Sequence, residues 1–220
     1  RLGAVANPLM PIFRQRELSF MLRQAEARVF VAPARFRGFD HGALARQLAG
    51  ELPGMRVLLA GDEGAESMEA ALAAADGAEF ERGARLQPDD VTQLLYTSGT
   101  TGESKGALHT SNTLFGAVHS LAKRMEIGAD DVIFMPSPLA HQLGFAYGML
   151  MSLVLGIPLV LIDIWRPARA AQLIEANGAT FTFAATPFLA DLTALARDGG
   201  KRLGRLRLFF WLYVALSAAK

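Results

Sequence analysis

Tyr96-Thr97-Ser98-Gly99-Thr100-Thr101-Gly102-Glu103-Ser104-Lys105-Gly106 follows the mostly apolar run from Val91 to Tyr96. The run reads as a buried strand, and the loop after it is dense in glycine and hydroxyl side chains. Glycine lets a backbone reach positive φ and approach a ligand closely. Successive free N–H groups in such a turn form a concavity that accepts anions. The hydroxyls of Thr97, Ser98, Thr100 and Thr101 add donors, and Lys105 adds a compact positive charge. A strand feeding this turn suits a phosphate cradle. The competing reading is an ordinary Gly/Thr/Ser surface connection. A Walker A loop is excluded, because that motif ends Gly-Lys-Ser/Thr and here Lys105 stands between Ser104 and Gly106.

Outward from the loop, strands alternate with helices. Toward the N-terminus, Leu18, Met21, Leu22 and Ala25 recur at helical spacing within 14–27, Val29 to Ala32 is a short strand, and His41 to Glu51 is a second helix closed by Pro53-Gly54. Met55 to Ala60 is a strand, and Ser67 caps an alanine-rich helix to Ala75. Phe80 to Asp90 is charged and reads as a surface connection into the central strand. Beyond the loop, Ser111 or Asn112 caps a helix to about Met125, Asp130-Asp131 reads as a solvated turn, and Val132 to Met135 is a strand. Leu143 to Ile162 carries no charge and is long enough for a membrane span. Gly156 and Pro158 break it, so it reads as a buried helix over 141–155 and a central strand over 158–162. Pro167 and Pro187 open two further helices, Asn177-Gly178 closes the first of them, and Thr180 to Ala184 and Leu206 to Tyr213 are strands. The expected fold class is α/β, with mostly parallel sheets flanked by helices.

Composition removes several functions. The 220 residues hold 22 basic and 21 acidic side chains, so no net positive field points to nucleic acid. With no cysteine there is no disulfide, thiolate catalysis or cysteine metal site. His41, His109, His119 and His141 form no H-x-x-x-H pair, so no helix-borne zinc site is expected and no residue is assigned to a metal. His141 reads from its position as a helix N-terminal residue bonded to nearby backbone; Tyr147 and Trp165 read as packing residues, with Tyr147 also able to line a pocket.

The order Tyr-Thr-Ser-Gly-Thr-Thr-Gly-x-x-Lys-Gly resembles the phosphate loop of the adenylate-forming (AMP-binding) enzymes, the superfamily of acyl-CoA synthetases, luciferases and peptide-synthetase adenylation domains. Ser104 stands where that family commonly has proline. The likeness extends to Gly3-Ala4-Val5-Ala6-Asn7-Pro8-Leu9, Arg16-Glu17-Leu18, Pro136-Ser137-Pro138-Leu139-Ala140-His141 and Ala185-Thr186-Pro187-Phe188-Leu189. His141 through Gly148 is most similar to synthetases acting on modest-sized acids, including cyclohexanecarboxylate-CoA ligases.

The resemblance implies that ATP, with Mg²⁺, activates a carboxylic acid as an acyl-adenylate, and that coenzyme A then displaces AMP. It assigns Thr97, Ser98, Gly99, Thr100, Thr101, Gly102 and Lys105 to the ATP phosphates, Lys105 as an electrostatic clamp, and His141 to a gate beside the acyl pocket. It also implies later segments absent from this sequence: a glycine-rich adenine site, a Tyr-Gly-x-Thr-Glu motif, a ribose-binding aspartate and a C-terminal domain with its lysine. The expectation is therefore an incomplete piece of a cytoplasmic ligase, inactive alone. Residues 1–207 would be part of the N-terminal AMP-binding domain and 208–220 an aberrant tail from a frameshift or partial gene. A non-catalytic nucleotide-binding or interaction module derived from that family is the alternative.

Overall fold

The computed structural model describes residues 3–75, 86–97, 104–199 and 203–212. The chain divides into two compact units, 1–109 and 110–220.

In the first unit, α1 (Gln15–Gln24) places Leu18, Met21 and Leu22 on one buried face, as the helical period requires. β1 (Val29–Pro33) is followed by β2 (Arg35–Phe36) and β3 (Phe39–Asp40), an antiparallel pair the sequence did not announce. Its two-residue turn has positive φ at both Arg37 (49°) and Gly38 (78°), the geometry that matches strand twist. Asp40 then caps α2 (His41–Glu51), accepting from the Ala43 N–H at 2.8 Å. β4 (Arg56–Ala60) lies parallel to β1, Val29 opposite Arg56. α3 (Met68–Ala74) follows, with Ser67 as its cap as expected. Leu18 and Leu22, Ala32, Leu44, Ala45 and Leu48, and Val57 and Leu59 close one apolar core between α1, α2 and the β1–β4 pair. On β1, Val29 and Val31 are about half exposed. Of the expected surface connection, 80–85 lies outside the described residues; Gln87 to Asp90 forms a turn, the Asp90 carboxylate accepting from the Gln87 N–H.

β5 (Val91–Thr97) pairs with β6 (Lys105–Thr110). The segment after the glycine-rich loop is therefore a strand before it is a helix. Near the start of β5, Gln93 bridges in parallel to Ala6.

The second unit begins with α4 (Ser111–Arg124), and its cap is Thr110, not Ser111 or Asn112: Thr110 and Thr113 exchange side-chain and backbone hydrogen bonds in a capping box. β7 (Ile133–Met135) follows. The long uncharged segment becomes α5 (Gln142–Gly144), a π-helix (Phe145–Leu150) and α6 (Met151–Leu155), then β8 (Leu159–Leu161). A helix and then a strand were expected there, but not the π-helical middle. No helix among the described residues is long and apolar enough to cross a membrane. α7 (Pro167–Ala176), β9 (Phe181–Ala185), α8 (Thr186–Gly199) and β10 (Leu208–Leu212) complete the unit.

The sheet order is β10-β9-β7-β8, and every pair is parallel. All three residues of β7 are buried, as expected of a parallel strand covered on both faces. Ile133, Met135, Phe181 and Phe183 pack with α4, α5, the π-helix and α6. Phe134 points the other way, into α7 and α8 through Ala170, Ile174 and Leu192. The unit is a three-layer α/β/α stack, in agreement with the expected fold class.

Asp130-Asp131 is not simply a solvated turn. Asp131 is 6% exposed, accepts from Thr180 Oγ1 and from the Gly128 N–H, and is paired with Arg207 at 2.7 Å. Thr180 in turn accepts from the Val132 N–H at 3.0 Å. The carboxylate thus ties together the segments that lead into β7, β9 and β10.

Candidate functional site

The loop is mounted on the β5–β6 pair. Thr97, the last residue of β5, is exposed and donates through Oγ1 to the Lys105 carbonyl at 3.4 Å. At the opposite end, Thr92 Oγ1 reaches the His109 carbonyl at 3.5 Å. These contacts set β5 and β6 antiparallel, so the loop leaves and re-enters at one point. Tyr96 fixes that point from below. Its hydroxyl donates to the Met21 carbonyl at 3.0 Å, and its ring meets Phe20 of α1 edge-on at 6.5 Å between centroids. Burial pushes the Tyr96 phenol pKa up, so it remains a donor. Gly106 faces Leu94: a Cβ there would stand 2.7 Å from Leu94 Cδ1, so a side chain at 106 would require the tip of the leucine to move.

The structure brings Thr97 and Lys105 together at the two feet of the loop. Lys105 is exposed and forms no ion pair among the described residues. An exposed lysine whose backbone carbonyl is tied to Thr97 at the foot of the loop offers a cation suited to a phosphate anion. Ser98, Gly99, Thr100, Thr101 and Gly102 lie outside the described residues.

His141 lies in the second unit. It caps α5: the Leu143 N–H donates to its Nδ1 at 3.2 Å, its own N–H donates to the Pro138 carbonyl at 2.9 Å, and its carbonyl accepts from the Phe145 N–H at 2.9 Å. The helix-terminal role read from the sequence is therefore present. With Nδ1 accepting, the proton sits on Nε2. His141 is partly open to solvent, yet the protein around its ring desolvates it enough to lower its pKa, so near neutral pH it is the uncharged imidazole. A neutral ring with a free Nε2–H can line an apolar acid pocket without a buried charge. Tyr147 stacks on Phe183 at 4.7 Å, and Trp165 meets Phe188 edge-on while donating to Asp191 at 2.8 Å; both are packing residues, as read.

Among the described residues no group of three or more His, Asp or Glu side chains is placed to hold a metal ion. Sequence reasoning missed Tyr96 as an anchor. An aromatic before a polar loop could have suggested it, but its partner is a backbone carbonyl 75 residues away.

The family model described as AMP-binding enzyme matches residues 1–219. The medium-chain fatty-acid–CoA ligase of Escherichia coli is 31% identical over 95% of this chain, and the 2-hydroxy-7-methoxy-5-methyl-1-naphthoate–CoA ligase of Streptomyces carzinostaticus is 34% identical over 83%. The chain spans 38% and 35% of the length of these relatives. Among solved structures, ATP-bound MatB from Rhodopseudomonas palustris superposes with a TM-score of 0.79 at 25% identity, covering 94% of this chain and 39% of that one. The parallel α/β unit and the match along almost the whole sequence agree: the chain belongs to the AMP-binding enzyme family.

Proposed function

We propose that this chain carries part of the ATP site of an acyl-CoA synthetase. The carrying observation is Thr97 and Lys105 facing each other across the feet of the glycine-rich loop, in a chain whose similar proteins include carboxylate–CoA ligases. A carboxylate oxygen attacks the α-phosphorus of ATP; the new O–P bond forms as the bond to pyrophosphate breaks. The thiol of coenzyme A then attacks the acyl carbon, loses its proton, and AMP leaves. Thr97, Ser98, Thr100, Thr101 and the loop amides hold the β- and γ-phosphates, Gly99 and Gly102 permit the turn, and Lys105 neutralises charge as pyrophosphate departs. Mg²⁺, when bound, disperses phosphate charge; no described residue is assigned to it. His141 offers Nε2–H at the acyl pocket. A cyclohexanecarboxylate-like acid fits the His141–Gly148 likeness, and a cytoplasmic setting goes with ATP and coenzyme A as substrates.

The test is pyrophosphate release by the complete gene product across a panel of carboxylic acids, with Lys105→Ala alongside. Losing one charge-assisted contact to phosphate, worth about 1.5–3 kcal/mol, raises the KM for ATP about ten- to a hundredfold. Unchanged ATP dependence in that variant, or nucleotide binding without any pyrophosphate release, would overturn the reading in favour of a non-catalytic nucleotide-binding module.

A further inference from the structure

His141 owes its orientation to a close backbone approach. The turn between β7 and α5 runs through Ser137 and Pro138, and the Pro138 carbonyl accepts the His141 N–H at 2.9 Å. Gly144, buried at the end of α5, lies directly on that turn. A Cβ on Gly144 would overlap the Pro138 carbonyl and stand 2.7 Å from the Ser137 carbonyl oxygen. Those neighbours are backbone atoms, held by the same turn, and cannot swing aside as a side chain can. One turn later Gly148 also sits tightly, with a Cβ position 2.8 Å from Met135 Cγ and 3.3 Å from its Cβ, but those atoms belong to a core side chain of β7 and not to the turn that carries His141. The two glycines look alike in the sequence, four residues apart, and differ in what they touch.

We infer that Gly144 is a positioning residue for His141: the missing Cβ lets the first helical turn rest on the Ser137–Pro138 peptides, and that seat brings the Leu143 N–H onto Nδ1 and leaves Nε2–H directed outward. A side chain at 144 lifts the turn, and the Leu143 N–H···Nδ1 contact, already 3.2 Å long, opens. The ring then loses both its fixed χ angles and its single tautomer. The π-helical turn that begins at Phe145 starts from this seat, so its register follows the glycine as well. The importance of this for catalysis rests on the assignment of His141 to the acyl pocket; the geometry does not.

The experiment is nitrogen-15 NMR of the imidazole rings in the full chain near neutral pH, with Gly144→Ala and Gly148→Ala, each checked for folding by circular dichroism. In the wild-type chain His141 shows a bare Nδ1 and a protonated Nε2. In G144A that single-tautomer pattern is lost to an averaged one while the fold persists; in G148A it is retained. A wild-type His141 protonated on Nδ1 overturns the inference, whatever the variants do. So does an unchanged pattern in G144A, an equal loss in G148A, or a G144A chain that fails to fold while G148A folds, since the glycine would then hold the helix and not the ring. Because the readout needs no turnover, failure of the acyl-activating reading leaves the result interpretable, and failure of this inference leaves that reading untouched.

Discussion

Asp131 shows how one side chain departs from its sequence neighbourhood. Asp130 and Asp131 are adjacent and chemically identical, yet Asp130 is exposed and Asp131 is buried beneath Arg207. Burial alone would raise the Asp131 pKa; hydrogen bonds from Arg207, Thr180 and the Gly128 N–H more than offset it and hold the carboxyl below its ordinary value. The folded state therefore binds the proton less readily than the unfolded state. The stabilisation is fully present above the unfolded pKa of about 3.9 and disappears as pH falls through the folded value. Asp131→Asn is expected to destabilise the chain by about 2 kcal/mol at pH 7, discounted because the guanidinium is partly in water. In urea titrations the difference between variant and wild type should shrink below about pH 4. A difference independent of pH would mean that packing, and not the charge, is what Asp131 supplies. Nothing in Asp-Asp spacing could distinguish the two residues, because the distinction is made by Arg207, 76 residues away. The end of β5 at Thr97, by contrast, was legible as the end of an apolar run, whereas β6, which begins at Lys105, was not.

At the scale of elements, four helices end alike. The N–H groups of Ala27, Ile127, Ile157 and Ala179 each reach back to the carbonyls of Leu22, Ala122, Ser152 and Ile174, the bond that closes a helix through a left-handed residue. That residue is glycine at Gly156 (φ 67°) and Gly178 (φ 61°), but glutamate at Glu26 (φ 48°) and Glu126 (φ 50°). The left-handed region costs a residue with a Cβ roughly 1 kcal/mol. Glu26→Gly is accordingly expected to stabilise the chain by about 0.5–1 kcal/mol, and Gly178→Ala to destabilise it by about 1 kcal/mol. Thermal midpoints moving in the same direction for both would rule out this account. The glycine-marked ends were readable in the sequence; the glutamate-marked ends were placed only loosely, because the motif there is carried by tertiary packing and not by composition. The same reason hides β2, β3 and the π-helix: short elements whose hydrogen bonds depend on neighbours leave no period to read.

For the whole molecule, the two units share a sensitivity to mild acid. His41 is buried in the first unit, its ring against Phe39 at 4.8 Å, and both burial and the nearby Arg14 charge lower its pKa, against a smaller opposing pull from Asp40. His141 is lowered by burial in the second. Above about pH 6.5 both rings are neutral folded or unfolded; below it the unfolded chain takes up protons first, so stability falls as pH drops toward the folded-state values. The thermal midpoint is expected to decline between pH 7 and pH 5, well before Asp131 contributes. His41→Leu should flatten the decline. An equally steep decline in that variant would assign the sensitivity elsewhere. The α/β class was recoverable from the alternation alone, since parallel sheets bury both faces and write themselves as apolar runs such as Ile133-Phe134-Met135. The division at residue 109 was not, because β6 and the cap of α4 adjoin in sequence without a Pro/Gly-rich linker to mark the boundary.

The Asp131–Arg207 pair also sets an order of assembly. The two residues are separated by 76 positions, and Tyr96 is separated from the Met21 carbonyl by 75. During synthesis Asp131 and β7 are made before the guanidinium that neutralises the carboxylate. The carboxylate must wait in water, and the sheet edge that receives β10 must wait open. Such long closures make folding slow compared with helix formation. The pair thus acts as a late latch, and conditions that favour early burial of residue 131 would trap the nascent chain before its partner arrives.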